Sequence, residues 1–83
     1  MSLITWTART ADSVAGHYTH PIRGLAVVLV SPWPGGVYVV TGAPYDLRVS
    51  DPMSPHYGER TWGETLEEAM DAAEAEAARR AAG

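Results

Sequence analysis

Leu25-Ala26-Val27-Val28-Leu29-Val30-Ser31, then Pro32-Trp33-Pro34-Gly35-Gly36, then Val37-Tyr38-Val39-Val40-Thr41: this stretch decides the fold. Its first run is apolar at successive positions and rich in β-branched residues, which marks a strand with apolar neighbours on both faces. Two prolines and two glycines then reverse the chain, and the second run returns beside the first. The hairpin 25–31/37–41 is therefore expected at the centre of an antiparallel sheet. If the chain does not itself cover both faces of 25–30, a partner must cover one of them.

Working outward, residues 3–9 alternate, and Ile4, Trp6 and Ala8 are expected to face inward. Ala11-Asp12-Ser13 reads as a turn. Residues 14–20 form a second strand, which Pro21 ends or confines to an edge. After Gly42-Ala43-Pro44, the run Tyr45-Asp46-Leu47-Arg48-Val49-Ser50 alternates again and predicts a short edge strand with Tyr45, Leu47 and Val49 inward. Residues 51–60, with Pro52, Pro55 and Gly58, have no period and form a loop longer than most connections.

The last segment is helical. Thr65-Leu66-Glu67-Glu68 is a capping box. Acidic residues follow at the positive end of the helix dipole, and Arg79 and Arg80 lie at the negative end. At 100° per residue Leu66, Ala69, Met70, Ala73, Ala77 and Ala81 share a face, thin enough to lie close on its support. Glu76 is spaced to pair with Arg80, and Trp6 and Trp62 are expected in the core. The sum is one α+β domain over 1–83: a small antiparallel sheet with one C-terminal helix packed on one face.

Composition narrows the function. The chain has 83 residues and no cysteine, so neither disulfides nor thiolate metal sites can support so small a core. Its net charge is −4, every basic side chain is one of six scattered arginines, and direct nucleic-acid binding is not expected. Met1-Ser2-Leu3-Ile4-Thr5 lacks the basic region of a signal peptide, and the longest apolar run, 25–30, is far short of a bilayer span. A cytoplasmic protein without membrane attachment is the expectation.

Catalytic patterns are absent. His17 and His20, three apart on a strand, lie on opposite faces and cannot chelate one ion; no strained elbow frames Ser13 beside them. Gly35-Gly36 opens no helix, so it is a turn and not a phosphate cradle. No cofactor, metal or enzymatic activity is expected. Candidate partner-binding residues remain. Trp33 and Pro34 lie at the hairpin tip, where an exposed Trp33 would be a preorganised anchor and an inward one would cap the core. His56, Tyr57 and Arg60 could extend that surface. Glu67, Asp71 and Glu74 form an acidic ridge, which is either a solvated helix face or a phosphate mimic for a basic groove.

Trp62-Gly63-Glu64-Thr65-Leu66-Glu67-Glu68-Ala69-Met70-Asp71-Ala72-Ala73-Glu74, with the helix on to residue 82, resembles the ending of short uncharacterised actinobacterial and actinophage proteins, in which a few strands precede a Leu-Glu-Glu-Ala helix. The joint absence of Lys, Asn and Phe fits such a GC-rich source. The proline-rich segment 43–58 departs from that pattern. The resemblance implies a phage or prophage accessory protein that inhibits or modulates a host or defence protein. Self-assembly, as a homodimer, and small-ligand (nucleotide) binding by Tyr and Arg are the alternatives.

Overall fold

The computed structural model describes residues 3–82; the chain start Met1-Ser2 and Gly83 lie outside the described residues. Five strands, β1 (Ile4–Arg9), β2 (Val14–His20), β3 (Gly24–Trp33), β4 (Val37–Ala43) and β5 (Trp62–Gly63), are followed by helix α1 (Leu66–Ala82). The sheet is an antiparallel meander in the order β1-β2-β3-β4-β5, and α1 lies on one face. The α+β architecture and the central hairpin are as the sequence predicts. The hairpin is longer, with Trp33 opposite Val37, and Gly35 and Gly36 turn it at φ of 101° and 78°, angles that residues with a Cβ rarely adopt.

The core lies between sheet and helix. Tyr18, Val28, Val30 and Val40 are its fully buried large side chains, joined by Ile4, Val14, Leu47 and Leu66. From α1, Ala69, Ala73 and Ala77 are wholly buried, so the helix axis lies close to the strands. Closest approach is at Gly63, where an added Cβ would sit 2.4 Å from the Ala69 amide nitrogen. The helix start is capped as expected: Thr65 Oγ1 accepts from the Glu68 amide at 3.0 Å, and Glu68 reaches back to the Glu64 amide. Met70 is half-buried and Ala81 exposed, so the apolar face is shorter than its period suggests.

Several expectations are corrected. Ala8 faces away from the helix, because a bulge at Thr7 inserts one residue between the Trp6–Gly16 and Ala8–Ala15 pairs and reverses the alternation. Pro21 ends β2, which stops at His20, as the first of the two readings has it; the strand is interior and not at an edge. Residues 45–50 form no strand beyond one bridge, Arg48–Arg60. Leu47 is still buried, and Val49 donates its amide to the Glu59 carbonyl at 3.0 Å and accepts from the Gly58 amide at 2.9 Å, while side chains hold the rest of the segment. Asp46 Oδ1 takes the Gly42 amide at 2.8 Å, and its other oxygen takes Arg60 at 3.2 Å and Arg48 at 3.3 Å. Glu76 does not pair with Arg80. Its buried carboxylate takes the Ser50 hydroxyl at 2.7 Å and the Ser50 amide at 3.2 Å, with Arg79 beside it, and Arg80 donates to the Arg48 carbonyl.

Trp62 is also corrected: it is 44% exposed. In a two-residue strand one side chain points to each side of the sheet. Gly63 occupies the crowded helix side, so Trp62 projects from the other.

Candidate functional surface

On the face of the sheet opposite α1, Val39 is buried beside Trp62 at 6% exposed, but the middle of β3 stands open. Along β3 burial alternates: Ala26, Val28 and Val30 are closed off by the helix layer, whereas Leu25, Val27 and Leu29 are 62%, 48% and 40% exposed. An all-apolar strand in the middle of a sheet is thus solvated on one side. The same alternation and the pairings Trp33–Val37 and Val39–Trp62 put both tryptophans on this open side, with Trp33 49% exposed. The row Ala8, Ala15, Leu29, Thr41 crosses the face. A shallow depression of about 190 Å³ opens against Ala8, Ala15 and Leu29, where small side chains leave room. His17, paired with Thr5 and Val27, stands on this face, while His20 stands on the other.

The eight partner-binding candidates occupy three separate places. Trp33 and Pro34 are exposed at the hairpin tip. His56, Tyr57 and Arg60 belong to a loop that rejoins β4 from its Ala43 end, away from that tip, as the succession of Arg60, Thr61–Val40, Trp62–Val39 and Gly63–Tyr38 shows. There Tyr57 is exposed, His56 Nδ1 lies 2.8 Å from Glu59, and Arg60 is held by Asp46. The acidic ridge runs beside β1, at the other edge of the sheet. Glu67 pairs with Arg9, Glu74 accepts from the Trp6 indole at 3.1 Å, and Asp71 is exposed. Two of the three acids therefore fasten the helix to β1. Sequence reasoning leaves Leu25, Val27, Leu29 and Trp62 out of the candidate binding residues, although it foresees that a partner covers 25–30 if the chain does not. The signal was the doubly apolar strand in a chain with one helix to cover it.

The hydrogen bond from Arg9 holds the Glu67 carboxyl below its ordinary range. A depressed folded-state pKa contributes stability above the ordinary carboxylate range, and loses it as acid protonates the group at the lowered value. Arg9→Ala is accordingly expected to melt below wild type at neutral pH. The gap should narrow as the pH falls below the ordinary carboxylate value of 4.5 and should shrink in high salt. A gap independent of both pH and salt would rule out this role for the pair.

A second concavity, of about 350 Å³, lies where α1 ends against the β2–β3 turn, lined by His20, Pro21, Ile22, Arg80 and Ala81. Its polar groups serve the fold. His20 Nδ1 accepts from the amides of Ile22 and Arg23, both at 3.0 Å, and the His20 ring meets Tyr18 and Tyr45 edge-on. Arg23 lies 5.3 Å over the Tyr45 ring. The carbonyl end of the helix makes this a poor seat for a phosphate. Among the described residues, no group of three or more His, Cys, Asp or Glu could hold a metal ion, and no helix is long and apolar enough to cross a membrane. Set against protein-family models, curated proteins and solved structures, the chain matches none.

Proposed function

We propose that this chain is a non-enzymatic protein-binding domain that docks through the open face of its sheet. Leu25, Val27 and Leu29 carry the reading. A contiguous apolar surface at the centre of a small sheet, rimmed by two half-exposed tryptophans, is a liability for an isolated monomer and a normal feature of a protein interface. Trp33 and Trp62 supply the large, stiff aromatic groups that dominate binding energy. The acidic helix is less suited to the task, since Arg9 and Trp6 already engage Glu67 and Glu74. The resemblance of residues 62–82 to actinophage proteins supports a cytoplasmic accessory role in which the domain occupies a host or defence protein and so inhibits or modulates it.

Affinity capture from an actinobacterial extract tests this, with the wild type and Leu25→Lys as paired baits. The expected result is a specific protein retained by the wild type and lost with the variant. Absence of a specific partner, or one held equally by both baits, contradicts it.

A further inference from the structure

We infer that the depression on the open face seats one basic side chain of the bound protein, a lysine or arginine whose stem lies over Ala8, Ala15 and Leu29 and whose charged head reaches Asp12. This rests on the reading of that face as a docking surface and goes on to name what the partner presents to it. Size, shape and charge carry the inference.

The depression measures about 190 Å³. Sites that enclose a small molecule run to roughly 300–1,000 Å³, so this one is scaled to a single side chain. Its floor follows from the bulge in β1. Because Thr7 is the extra residue, Ala8 stands opposite Ala15, which pairs on its other side with Leu29. Two neighbouring methyl groups leave a hollow, and Leu29, 40% exposed, walls it. Bulges at sheet edges re-aim a side chain in this way. These surfaces are apolar and suit a hydrocarbon stem.

The other end is polar. Thr10 and Ser13 line it and belong to the β1–β2 turn, where the Thr10 amide donates to the Ser13 carbonyl at 2.8 Å. Their hydroxyls both donate to Asp12 Oδ1, at 3.2 and 3.4 Å. The turn thus holds an exposed carboxylate one hydroxyl away from the hollow, with Oδ2 outside both bonds. Among the described residues Asp12 makes no ion pair, and Arg9, the nearest arginine along the chain, turns to the helix side and pairs with Glu67. In a chain of net charge −4 this negative end therefore stands uncompensated beside an apolar hollow. A wholly apolar side chain would fill the hollow and leave the charge unanswered, and an acidic one would oppose it. A long cationic side chain answers both parts, with its stem on the methyl groups and its head on the carboxylate. The head stays in contact with water, so the pair adds selectivity more than affinity.

Selection of a phage-displayed library of random peptides on the immobilised full chain tests the proposal, with wild type, Asp12→Asn, Asp12→Lys, Ala15→Leu and Leu25→Lys as baits. Asp12→Asn keeps an oxygen for the two hydroxyls while removing the charge, and circular dichroism verifies that each bait folds. Wild type is expected to enrich peptides that carry a lysine or arginine among apolar residues. Their affinity, read by fluorescence anisotropy, should fall about threefold to fivefold on Asp12→Asn, and at least about tenfold on Ala15→Leu, which fills the hollow. Asp12→Lys should instead enrich peptides with Asp or Glu in place of the basic residue. Peptides that need no basic residue, or that bind Asp12→Asn as well as wild type, yet are lost with Leu25→Lys, overturn the inference and leave the docking reading intact. Peptides that distinguish none of the baits, or no enrichment at all, remove both.

Discussion

Gly63→Val is expected to leave the chain without a cooperative fold at room temperature. Any Cβ at this position would lie 2.4 Å from the Ala69 amide nitrogen and 2.7 Å from the Glu68 carbonyl carbon. Both are helix backbone, so no rotamer change relieves the clash, and α1 must lift from β5 or β5 from β4. Lifting the helix strips cover from Leu66, Ala69 and Ala73, which face the sheet. Overpacking costs about 1–3 kcal/mol where side chains can shift, and more where they cannot. A domain of this size has only a few kcal/mol to lose. A thermal melt followed by far-ultraviolet circular dichroism reads the result; a sigmoidal melt within a few degrees of wild type would show that helix and sheet are not in such close contact.

Tyr18 separates two contributions from one side chain. Its ring is among the largest fully buried groups, and Tyr18→Ala should cost about 3–5 kcal/mol, as other buried aromatic truncations do. Its hydroxyl has no hydrogen-bond partner among the described residues. Tyr18→Phe should therefore be neutral or stabilising by about 1 kcal/mol, since it removes an uncompensated buried polar group. Alkaline titration gives an independent check. Burial, with the neighbouring Tyr45, raises the Tyr18 pKa, and Arg80 opposes the rise. A raised folded-state pKa means that the neutral form stabilises the fold up to about pH 10, the ordinary tyrosine value, and that this contribution fades above it. Wild type should lose stability there faster than Tyr18→Phe. Denaturant melts decide: a Phe variant much weaker than wild type would mean that the hydroxyl is satisfied.

How far the sequence could be read follows from where each contact lies along the chain. β3, β4, their turn and the helix cap are legible because their signals are local: an apolar run, a Pro/Gly tip, a Thr three residues before a Glu. Ala8 was misread because a bulge leaves no mark in a six-residue alternation. Trp62 was misread because its side of the sheet is set by the neighbouring glycine and by a helix that begins only at Leu66. Segment 45–50 reads as a strand because its alternation is real; Asp46 and Glu76, whose side chains hold its backbone, act across 4 and 26 residues. The candidate binding residues were chosen by type, and the meander then distributed them to a hairpin tip, a far loop and an opposite edge. The open face was present only as a conditional: a strand apolar on both sides needs two covers, and this chain carries one helix.

The open face exists only if β3 is buried on one side and solvated on the other, and a sequence without cysteine makes that asymmetry directly measurable. Single cysteines placed in turn at positions 25 to 30 can be timed for reaction with a maleimide in dilute solution. Positions 25, 27 and 29 are predicted to react quickly, while 26, 28 and 30 react only as fast as the domain unfolds. Labelling without that alternation would contradict the account.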